Sequence, residues 1–293
     1  MSLTRRQILQ TAIVLGVLGT RSWAATEAEY DGFTVLTLSD GHLELPRAAA
    51  LPEGVPQDAL DDLPEVIHSP LNVTLLKRGD DLILFDAGSG PDFMPTAGEL
   101  IDALAALDID PGDITHVIFT HAHPDHIWGV LDDFDEPAFF NARHLIARAE
   151  RDFWTAPDIL DQLPEDRHSF AIGAQRRLEE ISEVLDFFDD GDEVLPGITA
   201  RATPGHTPGH SSFVIEDQVM VLGDVATNAH VSLSHPELGA ATDHDPEQAA
   251  ETRKAVLEDL AESGMEVVGY HFPDGGLGHI ERDGDGYRFI PKQ

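Results

Sequence analysis

The chain of 293 residues contains no cysteine. That excludes a disulfide framework, a thiolate metal ligand and a cysteine nucleophile. Any transition-metal site must therefore use histidine and carboxylate, a donor set that suits zinc, manganese or iron. Basic residues are also scarce. Only 18 Lys and Arg stand against 54 Asp and Glu, a formal charge of −36. A surface of that sign repels nucleic acid and anionic membrane, and it reads as a solvated surface rather than a specific acidic binding site. Beyond the first two dozen residues no apolar run is long enough to cross a bilayer. What is present is ordinary globular material: the hydrophobic content of 42% and the length allow a substantial core.

Residues 1–24 read as an export signal. Thr4-Arg5-Arg6-Gln7-Ile8-Leu9-Gln10 resembles a twin-arginine motif, residues 8–18 are mostly apolar but too short to span a bilayer, and Ser22-Trp23-Ala24 offers a small-x-small cleavage site. An uncleaved anchor or an ordinary first helix is the alternative. The expected product is a periplasmic or secreted domain of residues 25–293.

Along that domain, residues 33–38 read as a strand closed by Asp40-Gly41, and 47–70 as a long surface excursion. Residues 71–76 and 82–85 flank Gly79-Asp80-Asp81 as a hairpin that ends at Asp86. Thr96 with Glu99 predicts a capping box for a helix through Leu100, Ile101, Leu104 and Leu107. A strand over 114–119 follows, then short strands at 138–140 and 144–146. Helices are expected at 148–154 and 170–184, with a loop or lid between them. The second half repeats the first: a strand at 198–202, a hairpin ending at Gly223-Asp224, a helix opened by Asp245-Pro246, a strand ending at Tyr270-His271, and a last hairpin around 283–286. Each half runs hairpin, strand-terminal acid, helix, strand, histidine. One α/β domain of two packed sheets with outer helices is the economical reading.

The chemistry concentrates in Thr120-His121-Ala122-His123-Pro124-Asp125-His126. His121 and His123, two apart in an extended segment, point to the same side. Pro124 halts the strand before Asp125 and His126. Three more candidates end predicted strands: His206, Asp224 and His271. Five histidines and two aspartates suffice for two metals with an open position at each. Asp86 either orients a ligand imidazole from behind or is a turn acid, and His210 is either such a support or structural. Gly205 and Gly209 either leave room near the metals or serve the turn. His42, His68, His116, His144, His168, His230, His235, His244 and His279 read as surface or core residues.

The pattern His121-x-His123-x-Asp125-His126, then Gly205-His206-Thr207-Pro208-Gly209-His210, Gly223-Asp224 and His271, resembles the metallo-β-lactamase superfamily across essentially all of residues 25–293. The resemblance implies an αββα sandwich with the metals at one edge of the sheets. His121, His123 and His206 would hold one ion, Asp125, His126 and His271 the other, with Asp224 bridging. Zinc is the first expectation, with manganese, cobalt or iron as alternatives. Two such ions, about 3.5–4 Å apart, acidify a shared water to a pKa of about 7, and Asp125 and Asp224 are the expected catalytic carboxylates.

Departures sort the subgroups. Asp224 argues against β-lactamase activity. A tail with only Arg282, Arg288 and Lys292 argues against glutathione-thioester hydrolases, and the missing basic surface and motifs argue against RNA processing. Acyl-homoserine lactonases commonly carry tyrosine three residues after the bridging acid, where this chain has Thr227. The exported methyl parathion hydrolase-like group is the most similar overall, through its export signal, the histidine loop followed by Gly129, and the ending His271-Phe272-Pro273 with Gly278-His279-Ile280. That likeness implies hydrolysis of neutral hydrophobic esters, aryl esters or organophosphate triesters. A lactonase is the alternative, ahead of a β-lactamase or a non-catalytic metal carrier. It also implies a small-molecule substrate, no nucleic-acid partner, no membrane insertion once the signal is removed, and a homodimer, as members often are. An aromatic-lined substrate pocket is implied too, with Phe93, Phe153, Trp154 and Phe272 as candidates.

Overall fold

The computed structural model describes residues 24–51, 54–61 and 63–292. The expected export signal lies outside the described residues apart from Ala24. Two seven-stranded sheets carry the chain. The first holds β1 (Ala24–Tyr30), β2 (Phe33–Pro46), β3 (Val66–Arg78), β4 (Asp81–Phe85), β5 (His116–Ile118), β6 (Arg143–Ala147) and β7 (Leu185–Phe188), side by side in sequence order. Pairing is antiparallel through β4 and parallel from β4 to β7. The second holds β8 (Glu193–Leu195), β9 (Ile198–Ala202), β10 (Ser211–Ile215), β11 (Val219–Val221), β12 (Glu266–Val268), β13 (Leu277–Asp283) and β14 (Gly286–Pro291), again in sequence order. Only β11 and β12 run parallel there.

The central strands are apolar on both faces, so each sheet must be covered twice. Between the sheets, Val35, Leu76, Ile83, Phe85 and Ile118 meet Ile198, Phe213, Val219, Val221 and Val268. On the outer face of the first sheet, Leu75, Leu84, Val117 and Ile146 pack on Leu104, Ala174 and Leu178, from the helices Leu100–Ala105 and His168–Glu180. On the outer face of the second, Met220, Leu222 and Val267 pack on Val256, Leu257 and Leu260 of the helix Pro246–Ser263. These layers are the expected αββα sandwich. Among the described residues no helix is long and apolar enough to cross a membrane.

Three local expectations change. β2 and β3 are longer than read, because the ladder continues past a bulge between Ser39 and His42 as far as the pair Pro46 and Val66. The surface excursion shrinks to 47–65. The capping box at Thr96 and Glu99 does not form: Thr96 Oγ1 donates to His42 O at 2.7 Å, and the buried Asp40 accepts from Leu100 N at 2.8 Å instead. Residues 138–140 are not a strand, and Phe140 is exposed. The repeated grammar of the two halves holds. β4 and β5 lead within three residues into Asp86 and Thr120-His121, and β11 and β12 into Asp224 and Tyr270-His271. Parallel pairing within each half places all four ends on one edge of the sandwich.

Candidate metal centre

The edge gathers all seven sequence-predicted residues. His121, His123 and His206 bring one ring nitrogen each to a common point, as do Asp125, His126 and His271 with a carboxylate oxygen and two ring nitrogens. Within the first group, His123 Nδ1 lies 3.0 Å from His121 Nε2 and 2.9 Å from His206 Nε2. Within the second, Asp125 Oδ2 lies 3.6 Å from His126 Nε2 and 3.4 Å from His271 Nε2. Asp224 stands between them. Its Oδ1 is 3.2 Å from His126 Nε2, and its Oδ2 is 3.2 Å from His206 Nε2 and 3.3 Å from His271 Nε2. All seven are buried.

The partners behind the rings assign the tautomers. His126 Nδ1 donates to Asp86 Oδ2 at 2.8 Å. His206 Nδ1 donates to Asp243 Oδ1 at 2.9 Å. His271 Nδ1 donates to the carbonyl of Pro70 at 3.0 Å, with Ser69 Oγ at 3.1 Å. Thr120 Oγ1 gives its single proton to Asp86 at 2.9 Å and so accepts from His121 Nδ1 at 3.0 Å. His121 and His206 therefore turn Nε2 toward His123 Nδ1, and His126 and His271 turn theirs toward the Asp125 and Asp224 carboxylates. Ring nitrogens and carboxylate oxygens that converge at such distances form a donor set for a cation. His126 Nε2 and Asp224 Oδ1 are buried with no hydrogen-bond partner, which is how ligand atoms look without their ion. The donor set fits divalent metal.

The electrostatics agree. Burial, then the neighbouring imidazoles, hold His121 and His123 well below the usual histidine range. Burial also works against protonation of His126, but Asp224, Asp125 and Asp86 outweigh it and hold His126 well above that range. Burial pushes the Asp224 carboxyl up; His271, His126 and His206 outweigh that and hold it well below the carboxylate range. A cluster that keeps Asp224 ionised and the His121 and His123 rings neutral, and that draws positive charge onto His126 and His271, is prepared for a cation.

Asp86 sits at φ +69°, an unusual conformation for a residue with a side chain. It is tied down by Thr120 N at 2.7 Å as well as by His126. His210 takes the supporting alternative: its Nε2 accepts from Asp224 N at 2.9 Å, with Nδ1 turned to Thr203 O at 3.1 Å. Sequence reasoning missed two buried acids, Asp243 and Glu150. Glu150 accepts from Ala122 N, Trp154 Nε1, Thr207 Oγ1 and Gly209 N, and so bolts the two histidine loops together. Gly205 and Gly209 serve this packing rather than metal access. A Cβ on Gly209 would fall 2.0 Å from Glu150 N, and one on Gly205 2.2 Å from Ala249 N.

A cleft of about 320 Å³ opens onto His123, Asp125, His206, Asp224 and His271. Its walls are Leu43, Leu45, Ile67, Phe93, Met94 and Phe170, with Thr227, Asn228 and Thr242 as polar points. A larger groove of about 930 Å³ lies elsewhere, between Asp40, Ile101 and Phe140, and contains none of the seven. Of the four aromatics expected in the pocket, Phe93 lines it and three do not. Trp154 is buried behind His123, ring centroids 5.6 Å apart, with its indole N–H on Glu150. Phe153 packs against Trp154 and His244. Phe272 folds over Gly269 into the outer core beside Phe289. Phe170 takes the place they were assigned, its ring 5.8 Å from that of His123.

Comparison with known proteins follows the same line. An N-acyl homoserine lactonase AttM of Agrobacterium fabrum is 31% identical over 124 residues, 39% of this chain and 41% of that protein. The chain thus spans about two fifths of the length of that relative. A probable metallo-hydrolase, YqjP of Bacillus subtilis, is 29% identical over 187 residues, 57% of this chain and 56% of that protein. Among solved structures, AidC, a dizinc quorum-quenching lactonase in complex with a homoserine product, superposes with a TM-score of 0.86 at 27% identity, over 93% of this chain and 99% of that one. The hydrolase AbOPH has the same fold, with a TM-score of 0.85 at 24% identity over 94% and 99% of the two chains. Lactonases thus stand where the sequence pointed to the methyl parathion hydrolase-like group. The sequence model of the Metallo-beta-lactamase superfamily matches residues 68–271, a stretch that includes all seven residues of the cluster, and with the αββα layers beneath them the chain belongs to that superfamily.

Proposed function

We propose that the chain is a dinuclear metal-dependent hydrolase of neutral lactones or esters with an apolar acyl chain, and that N-acyl homoserine lactones are the leading substrate class. The observation that carries this is the cleft itself, a slot with aliphatic and aromatic walls whose floor is the cluster. His121, His123 and His206 would hold one ion, Asp125, His126 and His271 the second, and Asp224 would stand between them; zinc is the expected metal. Bound there, two divalent cations supply Lewis acidity for a carbonyl and lower the pKa of water.

The chain's own residues do the rest. Leu43, Leu45, Ile67 and Phe170 take the acyl chain out of water and leave the carbonyl at the floor. Thr227 and Asn228 offer hydrogen bonds to the polar atoms of the substrate at the cleft wall. Asp125 and Asp224 are the carboxylates that reach the cleft: as the water oxygen bonds to the acyl carbon its proton passes to one of them, and that carboxyl returns the proton to the alkoxide oxygen released when the acyl C–O bond breaks. Asp86, Asp243 and Pro70 keep His126, His206 and His271 in register from behind. The likeness to lactonases supports the lactone reading over aryl esters and phosphotriesters.

The test is a panel of N-acyl homoserine lactones of increasing chain length, aryl esters, phosphotriesters and β-lactams, run on metal-analysed protein. The expected result is chelator-sensitive lactone opening whose kcat/KM rises with chain length. Turnover of phosphotriesters or aryl esters without lactones would overturn the substrate class. No turnover of any of them by fully metal-loaded protein would overturn the enzyme.

A further inference from the structure

β2 and β3 form a long two-stranded ribbon along the cleft, and its faces differ. Leu43, Leu45, Ile67 and Ser69 turn toward the cleft. Successive residues of a strand point to opposite faces, so His42, Glu44 and His68 turn the other way. The register pairs Glu44 with His68 and His42 with Pro70. Two imidazoles and a carboxylate thus share one patch: His42 and Glu44 two apart on one strand, His68 directly across on the next.

The patch is convergent. His42 Nε2 lies 3.7 Å and His68 Nε2 4.0 Å from the same oxygen, Glu44 Oε1. The two rings are stacked, centroids 5.0 Å apart and 10° from parallel. One donor atom from each side chain falls within 4.8 Å of the others. Tetrahedral zinc with bonds of about 2.0–2.1 Å places its donors roughly 3.3 Å apart, a gap that small side-chain rotations close. The side chains are 38%, 51% and 61% exposed for His42, Glu44 and His68, so they are free to make that adjustment and open to metal. The backbone beneath is fixed. His42 N donates to Thr96 O at 2.9 Å, and His42 O accepts from Thr96 Oγ1 at 2.7 Å. Two nitrogens and one carboxylate oxygen suit zinc, nickel, copper or cobalt far better than calcium or magnesium. The strongly acidic chain raises the local concentration of any cation.

We propose that His42, Glu44 and His68 form a divalent transition-metal site separate from the seven-residue cluster, which clamps β2 to β3 behind the cleft wall. The protein supplies three donors and water completes the coordination. The site depends neither on the reaction nor on the substrate proposed above, and its test reads metal rather than turnover.

The full chain, stripped with chelator, is titrated with zinc by calorimetry, and bound zinc is counted by elemental analysis, for the wild type, H42N/H68N and E44Q. The wild type is expected to take up one equivalent more per chain than H42N/H68N, and E44Q to bind that equivalent at least tenfold more weakly. Equal zinc stoichiometry in wild type and H42N/H68N overturns the site. Should the double variant not fold, H68N and E44Q decide: wild-type zinc affinity for every equivalent in both overturns it, and selective weakening of one equivalent sustains it.

Discussion

Glu150 Oε1 accepts the amide proton of Ala122 at 2.9 Å, the peptide between His121 and His123. Its other oxygen takes Thr207 Oγ1 at 2.6 Å and Gly209 N at 3.0 Å, on the loop that carries His206. One buried carboxylate thus sets the spacing of three candidate ligands drawn from both halves of the chain. Burial pushes this carboxyl up, against the hydrogen bonds from Thr207, Trp154, Ala122 and Gly209. Glu150→Gln would turn an NH2 against at least one of those donors. A buried unsatisfied donor costs about 1–3 kcal/mol. The expected outcome is an unfolding free energy in urea lower by that margin, together with weaker zinc retention at the His121, His123 and His206 group. Unchanged stability and metal content would remove Glu150 from this role.

Asp243 does for one ring what Glu150 does for the loops. It accepts from His206 Nδ1 at 2.9 Å, and its second oxygen takes Ala240 N at 2.6 Å with Arg253 Nη2 at 3.3 Å. Asp243→Asn should lower metal affinity or turnover about 10–100-fold, the usual penalty for losing the partner of a ligating histidine. Asp224→Ala should cost more, because it removes an oxygen from both groups at once. Elemental analysis should find one metal lost per chain in Asp224→Ala. Full turnover with a single metal per chain would sink the two-ion arrangement.

His144 gives a pH dependence of its own. It is fully buried against Phe119, ring centroids 6.0 Å apart, and burial pushes its pKa down to about 4. The unfolded chain protonates near 6.5, so between those values the unfolded state binds the extra proton. The stability contributed by keeping this ring neutral is complete above about pH 6.5 and is lost as pH falls toward 4. The loss amounts to about 3 kcal/mol over the window. Denaturation of the wild type and His144→Leu at pH 7 and pH 4.5 should show a steeper decline in the wild type. Parallel declines would exclude His144 as the source.

What could be read from the chain, and what could not, has a physical division. The seven-residue cluster was legible because histidines at two-residue spacing, or at the ends of apolar strands, have few structural explanations. The layers were legible because β4, β5, β11 and β12 are nearly continuous apolar runs. Asp243 and Glu150 were not, because a chain with 54 acids hides two buried ones among solvated ones. Asp243 stands in Asp243-His244-Asp245 and Glu150 in Glu150-Arg151-Asp152, with nothing local to mark either. The far end of β2 was missed because Asp40-Gly41 read as its close, and the start of β3 because the stretch up to Pro70 read as loop, although the ladder resumes past the bulge with His42 opposite Pro70. That error also hid the cross-strand approach of His42, Glu44 and His68.

The aromatics separate wall from core, and the separation can be measured. Phe272 lies beside His271 in sequence, yet it is fully buried in the outer core with Ile280 and Phe289. Truncating such a side chain costs about 3–5 kcal/mol, so Phe272→Ala should lose stability by that order while its selectivity among acyl chains stays as in the wild type. Phe170 is only partly buried and stands on the cleft wall beside His123. Phe170→Ala should keep most of the stability and instead lose contact with the acyl chain. Each buried methylene is worth about 0.8 kcal/mol, so the penalty in kcat/KM should grow with chain length, severalfold between a butanoyl and an octanoyl lactone. It should fall on KM more than on kcat, because the contact is the same before and during reaction. A chain-length effect in Phe272→Ala and none in Phe170→Ala would place the acyl chain on the other side of the cluster from the cleft described above.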